Sequence, residues 1–506
     1  MTVSVADAIS RPMGVAEKLR RAPIDEKTVY SKPVVLTGEP EALATPNGRW
    51  CFLDALALLP RIVGQLLVAL PDGCTFRQEV QDHCARTWTR GSVVVATGPG
   101  QYEGAQAILN VGSAVRADIP WTTINSNGWV SRVSSRGALP KDMERANAPA
   151  ALLAASFGVT EVFKRIYEIP PDVAPLLDLT EFSLYDLTTT PSDIGPELPR
   201  RIVLPDTLLT GAGAIGNAIA WLLSQLPVEG QLHIIDRQCY GDENLGTCLL
   251  LDASGWVNRP KAERMAEWLR NHSQLKVTGE KIEIERAIEK NRFRGLFIDL
   301  ILNGLDDPDP RRHTQRLWPS IVVDGAINEV GAAVIQHRSS RGEACLTCWF
   351  EAPGIDAVAL QSRWTGLRAD TLRDAARTLT DEDIAAAAPE KQSWLRERQR
   401  EGKTICSIMT EAQLAQRLGV QASQGFRPSA PFVASAAAAL VIAAALKALI
   451  FQEAPSPSIF QFGNLFLGPD ASAGATRNPT VGCQCVSQRA AIARLQSARR
   501  APGVGK

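Results

Sequence analysis

Thr207-Leu-Leu-Thr210-Gly211-Ala-Gly213-Ala-Ile-Gly216 decides how this chain is read. A short apolar run enters a G-x-G-x-x-G loop, and an apolar, helix-patterned stretch (217–226) leaves it. The first glycines let the backbone turn sharply and approach a phosphate; the third lets a helix pack closely on its strand. The N-terminus of that helix offers unpaired N–H groups and the positive end of a dipole to an anion. Downstream, Gln231-Leu-His-Ile-Ile-Asp236 reads as a second strand, ending in an acid 20 residues after Gly216. A carboxylate at that point can take ribose hydroxyls. Up to Asp236 the pattern suits a nicotinamide dinucleotide and ATP equally.

The surrounding chain is ordinary for a globular protein and long enough for two or three domains. It has 506 residues, 45% hydrophobic and 21% charged, with 54 basic against 54 acidic residues and a formal net charge of +0. That balance gives no global field for nucleic acid or for a membrane surface, and neither is expected as a partner. The basic end (Arg489, Arg494, Arg499, Arg500, Lys506) is expected as a solvated tail. The longest apolar run, 431–446, is mostly alanine and shorter than the roughly 18 residues a span needs, so a buried core helix is expected. With no N-terminal signal pattern, the chain reads as cytoplasmic. Ten cysteines, four of them in short pairs, favour metal over a disulfide scaffold.

Composition divides the chain into blocks. Residues 1–168 form one αβ block, whose first 32 residues are mixed and polar and read as an arm. The Pro-rich, acidic stretch 169–199 reads as a linker, and 200–350 alternates short apolar runs with helical patterns as βαβ units do. Residues 351–405 are charged and helical and, with a crossover loop after them, make up an insertion over 351–424; 425–486 return to the αβ pattern, and 487–506 are the basic tail. A faint repeat joins the two αβ blocks. Ile119-Pro-Trp-Thr-Thr-Ile-Asn125 lies over Trp318-Pro-Ser-Ile-Val-Val-Asp324. Ala148-Pro149 leads to Lys164 as Ala430-Pro431 leads, one residue later, to Lys447. The first copy lacks the G-x-G-x-x-G loop, the acid and the cysteine pair, so it is expected to keep a fold without a site.

Beyond Asp236 come Glu243-Asn244-Leu245, Arg259-Pro260-Lys261, Leu305-Asp306-Asp307, Cys345-Leu-Thr-Cys348, Thr404-Ile-Cys406-Ser-Ile and Cys483-Gln-Cys485. This order resembles that of the adenylating enzymes that activate ubiquitin-like proteins and sulfur carriers, the ThiF-type superfamily. The resemblance covers roughly residues 200–486. It implies an α/β fold: a Rossmann-like ThiF-type adenylation domain, preceded by a degenerate second copy and interrupted by a small helical insertion. It also implies ATP and Mg at Gly211, Gly213, Gly216, Asp236, Asn244, Lys261 and Asp306, with Lys261 serving catalysis. The physical sense is direct. Attack on an α-phosphate builds charge on its oxygens and on leaving pyrophosphate, which a lysine and an acid-held Mg can balance. A hydride-transfer enzyme needs neither. One departure stands out: the superfamily has an arginine two residues past the Leu of the Asn-Leu block, and Gly246-Thr247-Cys248 carries none. Arg259 or an arginine of the first copy is expected to stand in.

Cys345, Cys348, Cys483 and Cys485 give four thiolates, a set that suits tetrahedral structural zinc with no open position for chemistry. Cys406 resembles the thioester-forming cysteine of the ubiquitin-activating class, and a thiolate suits that second step as a strong nucleophile. The resemblance therefore implies adenylation of the C-terminus of a ubiquitin-like protein, a thioester on Cys406, and transfer to a conjugating enzyme. For a bacterial source it further resembles activating enzymes of conjugation operons linked to phage defence. Adenylation of a sulfur carrier or a peptide, a non-catalytic scaffold and a nicotinamide dehydrogenase are the other readings. The oligomeric state, including a homodimer, stays open.

Overall fold

The computed structural model describes residues 5–86, 93–96, 104–114, 116, 118–252, 255–294, 296–350, 357–374, 377–418, 429–452, 454 and 456–500. The chain divides into two compact units, Met1–Phe350 with Pro428–Lys506, and Glu351–Arg427.

The first unit holds two sheets built on one plan. In the first half the strands are β1 (Pro33–Gly38), β2 (Gln65–Ala69), β3 (Val93–Ala96), β4 (Ala107–Val111), β5 (Trp121–Asn127), β6 (Val130–Ser134) and β7 (Thr180–Ser183). Its long helices are α1 (Val5–Arg20), α2 (Pro46–Leu58), α3 (Arg77–Arg86) and α4 (Ala148–Ile166). In the second half the strands are β8 (Ile202–Val203), β9 (Thr207–Thr210), β10 (Val228–Ile235), β11 (Gln274–Glu280), β12 (Leu300–Asn303), β13 (Ile321–Ile327), β14 (Ala332–Arg338), β15 (Ile459–Phe462) and β16 (Ser472–Ala475). The helices that matter there are α5 (Ala214–Gln225), α6 (Lys261–His272) and α7 (Pro308–Gln315). After them come α8 (Ile405–Leu418), in the second unit, and α9 (Pro431–Ile450) and α10 (Arg489–Arg500), back in the first.

The sheets run β3-β2-β1-β4-β5-β6-β7 and β11-β10-β9-β12-β13-β14-β15-β16, with β8 beside β10. In each, five successive strands are parallel and those beyond β5 or β13 pair antiparallel, while β8 adds a parallel pair to β10. Read from the central strand outward, the first seven positions of the two orders match. The short match between 119–125 and 318–324 thus marks one doubly wound, Rossmann-like α/β plan used twice. Helices α4 and α9, whose Ala-Pro starts resemble each other, are the twin helices; they pack on each other, α4 also against α2 and α9 against α5. Aromatic contacts cross between the copies, with Phe163 5.3 Å from Phe432 and Phe182 5.0 Å from Phe462. Helix α9 has the length and hydropathy to cross a membrane, but 89% of its apolar window is buried within the protein.

Three expectations change. The 169–199 stretch is more than a linker: its residues 180–183 form β7, paired antiparallel with β6. The prolines flank that strand and leave its ladder intact. The basic tail is a docked helix: Ile492 and Gln496 of α10 are buried four residues apart, and Gln496 Nε2 donates to the carbonyls of Trp318 (3.2 Å) and Pro319 (3.0 Å). Arg499 adds bonds to the carbonyls of Leu317 (2.7 Å) and Trp318 (2.9 Å). The arm is helical in α1, where Val15 and Ala16 are buried, and α1 packs against the 242–244 turn.

The second unit is a small helical body. Leu367, Leu372, Leu379, Ile384, Leu395, Ile405 and Ile408 form its core.

Helix α2 meets α5 through a buried acid. Asp54 Oδ1 accepts from Trp221 Nε1 (2.6 Å) and Gln225 Nε2 (2.8 Å), and Oδ2 has no partner among the described residues. Burial raises this carboxyl to about 7 against those two donors. Its folded pKa lies above the unfolded value of about 3.9. Its stabilising contribution is therefore complete below about pH 4 and is lost as pH climbs towards 7. We expect Asp54→Asn to flatten this fall, narrowing the change in unfolding free energy between pH 5 and pH 8 by on the order of 2 kcal/mol. Denaturant melts of both proteins at the two pH values check it; parallel pH profiles would refute it.

Candidate functional site

Strand β9 is hydrogen-bonded to β10 on one side and β12 on the other, so the chain's crossovers part between β9 and β12. Ligands of open α/β sheets bind in the crevice at such a point, beyond the carboxyl ends of the strands. There the glycine loop, the acid after β10 and the turn after β12 converge. Gly211 has φ +85°, and a Cβ on it would stand 2.8 Å from the Gly304 carbonyl oxygen. A Cβ on Gly216 would come within 2.0 Å of the Gly211 carbonyl oxygen. These two glycines are therefore required by backbone contact. Gly213 differs: it precedes α5, no side chain caps the helix, and a Cβ there would meet nothing within 4 Å. The start of α5 is thus open at Gly213 and uncapped, an arrangement that suits an anion.

Polar side chains lock the loop to its neighbours. Asp236 Oδ2 accepts from the Ala212 N–H at 2.7 Å, and its Oδ1 from the Gln238 N–H at 2.7 Å. Tyr240 Oη donates to the Ala212 carbonyl (3.1 Å) and accepts from Asn217 Nδ2 (3.0 Å). Lys261 is the first residue of α6 and is buried. Its Nζ donates to Gln238 Oε1 (2.8 Å) and sits 5.7 Å from the Tyr240 ring centre. Asn244 is buried too, its Oδ1 accepting from the Gly241 N–H at 2.9 Å.

The turn after β12 is held from below. Arg311 Nε donates to the Leu305 carbonyl (2.9 Å) and its Nη1 to Asp324 Oδ2 (3.1 Å). Burial raises the Asp324 carboxyl to about 6, and the Arg311 charge opposes that rise. Thr210, Asn303 and Thr314 continue this buried network, with Asn303 Nδ2 donating to Thr314 Oγ1 at 3.1 Å. Asp306 follows on the exposed side of the turn.

The Asn244–Cys248 stretch, which lacks the expected arginine, lies among cations. Burial raises the Cys248 thiol, while the charges of Lys261, Arg61 and Arg11 pull it down. Arg61 comes from the first copy, yet it is a backbone clamp. Its Nη1 donates to the Leu245 carbonyl, its Nη2 to those of Leu249 (2.7 Å) and Leu251 (2.9 Å), and its Nε to Ala57 (3.0 Å). Arg11 lies on α1, the helix packed on the 242–244 turn. Arg259 is exposed.

The structure therefore brings together Gly211, Gly213, Gly216, Asp236, Asn244, Lys261 and the turn bearing Asp306. Sequence reasoning missed Asn217, Gln238, Tyr240, Arg311 and Asp324. A signal existed for Tyr240 and Gln238, which fall between two singled-out motifs. Cys406 belongs to the second unit, exposed in the first turn of α8, where Thr404 Oγ1 accepts from the Ser407 N–H at 3.3 Å.

The four paired cysteines also converge. The Sγ separations are 3.8 Å for Cys345–Cys348, 3.7 Å for Cys345–Cys483 and 3.6 Å for Cys348–Cys485, and all four sulfurs lie within 4.8 Å of one another. Thiolates about 2.3 Å from a tetrahedral ion stand about 3.8 Å apart, so this set can hold such an ion. Cys345 and Cys483 each begin a short helix, Leu346–Trp349 and Gln484–Ser487. The Thr480 N–H donates to Cys348 Sγ at 3.3 Å, a contact that favours a thiolate.

No protein-family profile matches the chain. It is similar to the uncharacterized protein y4jF of Sinorhizobium fredii, 25% identical over 337 residues, which are 65% of this chain and 63% of that protein. The chain thus spans a little under two thirds of that relative's length. Solved structures similar to it include E. coli MccB with ATP, at 13% identity and a TM-score of 0.36, covering 56% of this chain and 67% of that one. Another is E. coli MccB itself, at 15% identity and a TM-score of 0.35, covering 56% of this chain and 64% of that one.

The cysteine cluster makes a direct prediction. Purified protein should carry one metal ion per chain by elemental analysis, and Cys348→Ser should remove most of it. Equal metal content in the variant would refute the assignment.

Proposed function

We propose that this chain is an ATP-dependent adenylating enzyme of the ThiF type, with structural zinc on its four paired cysteines. The observation that carries the reading is the crevice between β9 and β12. It combines an uncapped helix N-terminus beyond Gly213, a buried Lys261 and the turn bearing Asp306. The glycine loop and the start of α5 would cradle the phosphates. Asp236 already ties down the loop and keeps oxygen lone pairs for ribose hydroxyls. Asp306 would hold Mg. Lys261 and Arg11 would balance the charge that builds as a substrate carboxylate attacks the α-phosphate, forming an acyl-adenylate and releasing pyrophosphate. In this reading Arg11, on a helix that packs over the Asn244 turn, stands in for the arginine missing after Leu245.

The substrate class we infer is the C-terminal carboxylate of a ubiquitin-like protein. Cys406 then attacks the acyl-adenylate, forming a thioester and releasing AMP, and a conjugating enzyme takes the acyl group. The exposure of Cys406 supports this, since a thioester that is passed on must be reached by another protein.

The test is ATP–pyrophosphate exchange with Gly-ended ubiquitin-like proteins, followed by intact mass. We expect exchange that falls at least ~100-fold in Lys261→Ala and about 10-fold in Arg11→Ala. We also expect a thiol-sensitive adduct that Cys406→Ala abolishes. Exchange without that adduct would reduce the reading to adenylation alone, as for a sulfur carrier. An active Lys261→Ala would overturn the site.

A further inference from the structure

A separate cavity of about 620 Å³ lies between the two copies. Helices α2 and α3 form one wall; α5, α6, residues 249–252 and Trp256 form the other. It reaches the C-terminal ends of α5 and α6, through Gln225 and His272. Helix α5 rises about 16 Å between Ala214 and Gln225, so this end is remote from the phosphate-facing turn.

The wall has a definite chemistry. Four tryptophans line it: Trp50, Trp221, Trp256 and Trp268. Trp221 stacks on Trp268 with ring centres 6.2 Å apart, and Trp268 stacks on His272 at 4.3 Å, nearly parallel at 9°. His83 meets Trp221 edge-on at 6.3 Å. Four guanidinium groups (Arg49, Arg61, Arg86, Arg264) face two lining carboxylates (Glu79, Asp252), and Glu267 pairs with Arg264, which leaves one more positive than negative group. Burial, with the charges of Arg61 and Arg86, lowers His83 to about 4, so its ring is neutral at physiological pH. Arg49 is paired with Glu79 and Arg61 is clamped on carbonyls. Arg264 lies over the Trp256 ring at 4.8 Å, and its Nε has no partner. Trp256 Nε1 and Gln225 Oε1 are likewise buried without partners among the described residues.

We propose that this cavity binds a small planar aromatic anion, a ring bearing a carboxylate or a phosphate. The stacked Trp221–Trp268–His272 column offers flat apolar faces that a ring extends at low entropic cost. The surplus of guanidinium over carboxylate selects an anionic substituent and repels a cation. Its volume falls within the ~300–1,000 Å³ of small-molecule sites. Arg86 is the charge left to meet the anion, since Arg264 Nη1 is paired with Glu267 at 2.9 Å.

The experiment is calorimetric titration of the full-length protein with 1-naphthoate, 1-naphthyl phosphate and the uncharged 1-naphthamide. We expect one anion per chain, bound at least 10-fold more tightly than the amide, and the tighter of the two anions identifies the head group. Trp268→Ala should weaken binding at least 10-fold, and Arg86→Gln should erase the preference for charge. Trp268→Phe, which keeps a ring, should retain most of the affinity, and thermal melting of each variant reports its folding. Lys261→Ala should leave the titration unchanged, separating this cavity from the crevice. Three outcomes would overturn the proposal: absence of binding, equal affinity for naphthoate and naphthamide, or binding lost in Lys261→Ala but kept in Trp268→Ala.

Discussion

Arg61 carries a charge into the interior, and its hydrogen bonds go to backbone carbonyls. Burial lowers its pKa to about 10, which still leaves it protonated at neutral pH. One carbonyl, Ala57, belongs to the last turn of α2, the helix just before it, at the negative end of that helix's dipole. The others, Leu245, Leu249 and Leu251, belong to the second copy. A loop folded back around one guanidinium is costly to undo, since each carbonyl stripped of its partner while buried costs about 1–3 kcal/mol. This clamp fixes the segment that bears Asn244 on the crevice side and Leu249–Leu251 on the cavity side. The first copy therefore shapes both regions even though it carries none of the crevice motifs.

The asymmetry between the copies comes down to the residues just after the central strand. After β9 the chain continues as Gly211-Ala-Gly213, and the N–H groups at the head of α5 are uncapped. After β1 it continues as Glu39-Pro40. Glu39 turns its carboxylate onto the Ser113 N–H (2.9 Å), the Ala114 N–H (2.7 Å) and Asn110 Nδ2 (3.1 Å), just beyond β4. Burial would raise this acid, but those donors outweigh burial and hold it below the usual carboxylate range. The crevice that would take a ligand's anion in one copy is filled by the protein's own anion in the other. Loss of a site and retention of a fold are thus compatible through the placement of one carboxylate.

What the sequence revealed was what local backbone geometry demands. Gly211 and Gly216 are legible because no other residue survives contacts with Gly304 and with the loop itself. The cysteine pairs are legible because thiols two or three residues apart share a turn. The rest is long-range. β7 lies among prolines, and only its pairing with β6, about 50 residues earlier, makes it a strand. The docking of α10 depends on carbonyls near residue 318 that no side-chain pattern encodes. Arg61 was hidden for the same reason: its partners are carbonyls 184, 188 and 190 residues away, and carbonyls leave no trace in composition.

On the proposed reading, packing would supply the cation that the sequence lacks after Leu245. The Asn244–Cys248 turn has no cation of its own, yet the charges of three cations from three elements pull down its Cys248 thiol: Lys261 from α6, Arg61 from just beyond α2 and Arg11 from α1. Their tasks differ. Arg61 has its donors committed to carbonyls, and Lys261 is anchored on Gln238. Arg11 sits on the helix laid across the turn, and that helix is tied down elsewhere by Lys18 on Glu329 and by Arg20 on the Tyr167 carbonyl (3.3 Å). Positive charge near a developing anion acts through position, whichever segment supplies it. A segment that composition reads as a polar arm thus becomes, once docked, part of the electrostatic environment of the crevice.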